Sequence, residues 1–124
     1  MKKILIVYNG NKKKHKDIIK ECKNRDVECE MISHDNLKIE DLLYADGIII
    51  EMGESSQFLG TTLMSPGERV LQCMESAICR VPTLVISKVG LHSQYVFVHS
   101  IMEECDAKDE KFLEFIKEIK MSVS

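Results

Sequence analysis

The chain has no tryptophan, only two prolines and no apolar run long enough to cross a bilayer. A membrane span takes about 20 consecutive apolar residues, whereas the longest apolar runs in this chain contain only a few residues. The basic start MKK leads into a short apolar segment that turns polar at Asn9, as a first strand does and a secretory signal does not. We therefore expect a cytoplasmic protein that does not act at a membrane.

The number and spacing of the cysteines also argue against a disulfide framework and a zinc site. The chain has five cysteines, an odd number, and none stands in a CxxC pair or at a zinc-ligand spacing with histidine: Cys22, Cys29, Cys73, Cys79 and Cys105. Such a pattern is typical of reduced thiols in a cytoplasmic protein. We expect no metal and no other cofactor.

Length and charge set further limits. The 124 residues are the usual size of one domain, so we expect a single domain over residues 1–124. The net charge of -3 argues against general binding to nucleic acid.

Apolar patterns predict five strands and four helices. The predicted strands cover residues 3–8, 27–33, 47–52, 81–87 and 95–99. The first predicted helix ends at about residue 25, and the second is capped by Asp35. The third runs from Ser65 to about Cys79, and the last is capped by Asp106. Residues 53–65 are expected to form a long polar loop.

This order of elements predicts an α/β fold: one doubly wound, mostly parallel five-stranded sheet with the flavodoxin-like strand order 2-1-3-4-5. In that order strands one and three are neighbours at the switch point, where open α/β sheets bind ligands. The loops Asn9–Lys16 and Gly53–Ser65 should meet there.

The first loop lacks the residues that several flavodoxin-like activities need. Tyr8-Asn9-Gly10 offers neither the acidic residues of a phosphate-accepting receiver nor the cysteine nucleophile of a small phosphatase or a sugar-phosphotransfer domain. A flavodoxin cradles the flavin phosphate with a Ser/Thr-rich loop, and this loop keeps a glycine but no hydroxyl. An FMN-binding electron carrier, with Phe58 or Tyr95 on the ring, is therefore a weaker alternative.

The segment ADGIIIEMGESS, residues 45–56, followed by a Gly-Glu pair that opens a helix, resembles the nucleoside 2-deoxyribosyltransferase-like superfamily. That group includes the deoxynucleoside 5'-monophosphate N-glycosidases. The resemblance extends loosely over residues 45–120. It implies a homo-oligomeric enzyme that cleaves an N-glycosidic bond or transfers a deoxyribosyl group of a nucleoside or nucleotide.

The resemblance also implies roles for particular residues. Glu68 matches the nucleophilic glutamate, which attacks the anomeric carbon and forms a covalent glycosyl-enzyme. Ser56 matches the turn that binds the sugar or its phosphate, and Tyr8 and Gly10 match the first loop. Glu51 ends the third strand at the ligand side and completes the predicted binding set.

Each of these residues also has a structural interpretation. Ser65 and Glu68 have the spacing of a capping box, which satisfies amides at a helix start. Glu51 can simply mark the point where a buried strand reaches solvent, and Lys12–Lys16 can be a solvated face or attract a phosphate. Pro66-Gly67 stands where the family has Gly-Tyr, which favours the second hypothesis: a non-catalytic flavodoxin-like module that binds a nucleotide or a partner.

Overall fold

The structure is a computed structural model that describes residues 1–54, 56–91 and 93–122, with only the backbone for residues 56–58, 62 and 63. Its strands are β1 Lys3–Tyr8, β2 Glu28–Ser33, β3 Gly47–Glu51, β4 Ser56–Phe58, β5 Thr61–Leu63, β6 Thr83–Ile86 and β7 Val98–Met102. Its α-helices are α1 Lys16–Asn24, α2 Ile39–Leu43, α3 Pro66–Ser76 and α4 Glu110–Met121. Two 3₁₀ turns, Lys12–His15 and His34–Asn36, precede α1 and α2.

The main sheet has five strands in the order β2-β1-β3-β6-β7. Every neighbouring pair in it is parallel. Counting only these five strands, the order is 2-1-3-4-5, so the predicted fold class is confirmed and the chain has a flavodoxin-like α/β fold. Within the described residues, no helix combines the length and the apolar character needed to cross a bilayer.

The predicted 53–65 loop is wrong in part, because it contains a small hairpin. β4 and β5 pair antiparallel, with Phe58 opposite Thr61. The two residues between them, Leu59 and Gly60, both have positive φ, 49° and 78°, as a two-residue hairpin turn requires. The β-favouring run Thr61-Thr62-Leu63 after a glycine was the signal for this hairpin.

Several predicted boundaries also differ from the structure. The fifth strand begins at Val98 rather than Tyr95, because Tyr95 and Phe97 are buried in the core beside the sheet. The last helix is capped by Asp109, whose carboxylate accepts the N–H of Lys111, and not by Asp106. Asp35 lies in a 3₁₀ turn, and α2 starts after Lys38 instead.

Two apolar layers cover the sheet, and successive residues of β3 alternate between them. Ile48, Ile50 and Met52 pack in the layer that contains α2 and α3. Ile49 packs in the layer of α1 and α4. The side chain of Glu51 therefore belongs to the α1/α4 side, at the carboxyl end of the strand.

The start of α3 is packed tightly onto the carboxyl end of β3. A Cβ at Gly67 would lie 2.6 Å from the Cα of Met52, closer than any side chain can approach. The N–H of Gly67 donates to the carbonyl of Met52 at 2.9 Å. Only glycine allows this approach, which fixes the first turn of α3 at the edge of the sheet where ligands bind in such folds.

Candidate functional site

The carboxylate of Glu51 organises the loop after β1. Its side chain is only 11% exposed and forms an ion pair with Lys14. It accepts the backbone N–H of Asn9 at 2.7 Å, and it lies 3.3 Å from Nε2 of His15. A buried carboxylate needs such partners to offset the loss of water, so this residue holds the Asn9–His15 segment in place.

His15 connects Glu51 to a cysteine 90 residues further along the chain. The imidazole is fully buried, and its Nδ1 lies 3.2 Å from Sγ of Cys105, in the segment between β7 and α4. A carboxylate accepts only, so we assign the ring proton to Nε2, facing Glu51. Nδ1 is then the acceptor for the Cys105 thiol. We call Cys105, His15 and Glu51 the thiol relay.

The thiol and the imidazole of the relay are both uncharged at neutral pH. Burial, and then the nearby charge of Lys14, lower the pKa of His15 to about 4. Burial raises the pKa of Cys105 to about 11, although the charge of Lys14 opposes that effect. Glu51 and Lys14 form an ion pair beside them.

The relay is not arranged as a metal site. Cys105 and Glu51 contact opposite nitrogens of the same ring, so they cannot converge on one ion. More widely, the described part of the chain has no group of three His, Cys, Asp or Glu side chains suited to hold a metal.

The prediction that the loops after β1 and β3 meet is confirmed. A Cβ at Gly53 would lie 2.4 Å from Nδ2 of Asn9 and 3.3 Å from Cδ of Pro66. Gly53 also has a φ of 72°, which suits glycine. The loops touch directly, with the Asn9 amide filling the space at Gly53. Tyr8 is half-buried at the end of β1, and Gly10 is exposed.

Glu68, the predicted nucleophile, lies on the other side of the sheet from Glu51. It is 2% exposed in the first turn of α3, and its N–H donates to Oγ of Ser65 at 3.4 Å, one half of the predicted capping box. Burial and then the charge of Glu68 raise the pKa of Tyr95, so the carboxylate is close to that hydroxyl. The two predicted acidic residues are thus separated, and the side chain of Ser56 lies outside the described atoms.

A groove between α2 and α3 opens at the same edge of the sheet. We call it the α2/α3 groove. Its cavity of about 410 Å³ is lined by His34, Asp35, Leu37, Lys38, Ile39, Leu42, Pro66, Arg69, Val70 and Cys73. Such a volume suits a small-molecule ligand. The lining combines aliphatic side chains with two cations, Lys38 and Arg69, and one carboxylate, Asp35.

The polar groups of the groove have few partners within the protein. Neither Lys38 nor Arg69 forms an ion pair with the described side chains. His34 contacts Asp35 through Nε2 at 3.3 Å, while its Nδ1 is buried and makes no hydrogen bond to the described residues. The groove therefore offers two cations to a ligand, beside the carboxylate of Asp35.

Comparisons with known proteins add little to this description. No family model matches the chain, and no curated protein matches it. Among solved structures, a flavodoxin from the domain Archaea is similar with a TM-score of 0.44 and 14% identity, covering 97% of this chain and 99% of that one. A likeness this weak carries no argument about ligand or activity.

Proposed function

We propose that the protein binds a nucleotide-sized anionic small molecule in the α2/α3 groove. The observation that carries the proposal is the lining of this groove, with an aliphatic floor and two cations that lack ion-pair partners in the described chain. Pockets of this kind bind ligands by apolar contact and orient them with a few polar groups. The groove also lies at the carboxyl edge of the parallel strands, the usual ligand side of such folds.

A nucleoside monophosphate has the matching chemistry. Leu37 and Ile39 offer an apolar surface to a base, while Lys38 and Arg69 are suited to a phosphate. Since the whole chain has a net charge of -3, attraction of an anion depends on this local pair of cations.

Calorimetric titration with nucleoside 5'-monophosphates and the matching nucleosides tests this binding. We expect the monophosphates to bind at least about ten-fold more tightly than the nucleosides, because a charge-assisted hydrogen bond contributes about 1.5–3 kcal/mol. Arg69→Gln should weaken monophosphate binding by about ten-fold or more for the same reason. Lys13→Gln removes an equal charge from the exposed first loop and should change nothing. Equal loss in both variants, or no binding by the parent, contradicts the proposal.

A second candidate function is cleavage of the N-glycosidic bond of the bound nucleotide, with Glu68 as nucleophile. It rests on the family resemblance: Glu68 lies in the same helical turn as Pro66 and Arg69, which line the groove, but its own side chain is 2% exposed and is not part of the lining. The carboxylate would form a bond to the anomeric carbon as the bond to the base breaks, and the departing base would take a proton from water. The glycosyl group would then pass to water or to a second base, which frees the carboxylate.

Chromatography for free base, after incubation with (deoxy)nucleosides and their 5'-monophosphates, tests this activity. The parent should release base, and Glu68→Gln should lower the rate by at least about 100-fold, since the carboxylate is the attacking group. Glu75→Gln changes an exposed residue of the same helix and should keep full activity. Unfolding curves show whether Glu68→Gln is folded. If the parent binds nucleotides but releases no base, the protein is a non-catalytic binding module. If Glu68→Gln is as active as the parent, Glu68 is not the nucleophile.

The hydrogen bonds of the first loop argue against the weaker alternative, an FMN-binding electron carrier. The Asn9 N–H, which a phosphate cradle after β1 would use, donates to Glu51 instead. A homo-oligomer stays a prediction of the family resemblance.

A further inference from the structure

We propose that Cys105 is the nucleophile of a second site, which accepts an acyl group from an activated ester or thioester with His15 as base and Glu51 as the residue that orients His15. The site is separate from the α2/α3 groove, because the relay lies on the α1/α4 side of the sheet. It stands independently of the proposed nucleotide binding.

The relay has the contacts that an activated nucleophile needs. Cys105 Sγ is 3.2 Å from Nδ1 of His15, and the opposite ring nitrogen is 3.3 Å from Oε1 of Glu51. Nucleophile, base and orienting acid in hydrogen-bond reach are the recurring arrangement of covalent catalysis, on whatever fold it occurs. The imidazole is fully buried and cannot turn freely, whereas Cys105 is only partly buried.

The acyl-transfer step balances with these three side chains alone. The Cys105 thiol proton moves to Nδ1 of His15 while Sγ attacks the carbonyl carbon. Glu51, which accepts the Nε2–H, holds the ring with Nδ1 toward Sγ of Cys105. Collapse of the tetrahedral intermediate breaks the bond to the alcohol or thiol leaving group, which takes the proton from Nδ1. The products are an S-acyl Cys105 and the free alcohol or thiol.

Acyl chemistry fits the relay better than redox sensing. Thiols that react with peroxide are exposed and already ionised, whereas burial raises the pKa of Cys105. A thiol that gives up its proton to an adjacent base during the attack does not need to be ionised beforehand. Lys14, which pairs with Glu51 and acts on Cys105 through its charge, favours the anionic sulfur that develops.

Incubation of the full chain with p-nitrophenyl acetate at neutral pH tests this assignment. We expect a burst of about one equivalent of p-nitrophenolate, as acyl-enzyme formation gives, with the acetyl group on Cys105 by peptide mass mapping. Cys105→Ala should abolish the burst. His15→Gln should slow it by about 100-fold, the usual loss without a general base. Cys29→Ser is the matched control: Cys29 is also half-buried, its neighbour Cys22 lowers its pKa, and its loss should leave the burst unchanged.

The distribution of acetyl groups in the parent gives a test that does not depend on variant folding. Cys73 is exposed, so accessibility alone predicts that it reacts first. The relay predicts that Cys105 reacts first in the folded chain, and that this preference disappears in urea. Acetylation mainly at Cys73 or Cys29 in the folded chain, or an undiminished burst in folded His15→Gln, overturns the proposal.

Discussion

Replacing Glu51 by alanine is expected to lower the free energy of unfolding by about 2–4 kcal/mol, since a buried polar group left without its partner costs about 1–3 kcal/mol. The variant removes the acceptor of the Asn9 N–H and of the buried His15 Nε2–H. Lys14, whose side chain is 46% exposed, can return to water and adds little to the cost. Urea unfolding at neutral pH measures the difference.

Two further variants separate the network from a general charge effect. Glu51→Gln keeps an oxygen acceptor and should lose only about half as much stability, because the charge-assisted part alone is gone. Glu30→Ala removes a surface carboxylate that pairs with Lys3 and is 50% exposed, and exposed pairs of this kind contribute less than about 1 kcal/mol. If Glu51→Ala costs no more than Glu30→Ala, Glu51 does not hold the first loop.

Acidification below about pH 6.5 is expected to destabilise the protein through His15. Its folded pKa, about 4, lies below the ordinary value of 6.5. The unfolded chain therefore binds a proton between these pH values while the folded chain does not. The stabilisation is fully present above pH 6.5 and is lost as the pH falls to 4. With 1.36 kcal/mol per pH unit, the loss reaches about 3 kcal/mol.

Unfolding free energies measured between pH 7 and 4 for the parent, His15→Gln and His99→Gln test this dependence. His15→Gln should have a flatter profile over the window, by the same roughly 3 kcal/mol. His99→Gln removes a histidine on β7 that pairs with Glu118, outside the relay, and measures how much of the slope comes from a histidine elsewhere in the protein. A parallel profile for His15→Gln and the parent would mean that the buried imidazole does not resist protonation.

The fold could be predicted from the sequence because its signals are periodic and local. The apolar runs at residues 3–8 and 47–51 mark strands buried on both faces, and the alternation of strands and helices selects the parallel topology. The hairpin at 56–63 was missed because its strands have only three residues each. Periodicity does not reveal elements that short.

The arrangement of the site could be predicted only in part. Glu51 was found from its position at the end of a central strand. Its face was not, because a run that is apolar at every residue, such as Ile48-Ile49-Ile50, carries no alternation from which a face can be assigned. The contact between His15 and Cys105 joins positions 90 residues apart, and the groove arises from how α2 and α3 pack. Neither the contact nor the groove can be predicted from the local sequence.

Backbone amide NMR during titration with a nucleoside 5'-monophosphate tests the central claim, ligand binding in the α2/α3 groove, most directly. Saturable shifts are expected at His34, Leu37, Lys38, Arg69 and Val70, whose side chains line the groove. Amides of Lys12 and Lys13, in the exposed first loop, should stay in place. No saturable shift at all, or shifts confined to Lys12–His15, would contradict the proposed binding site.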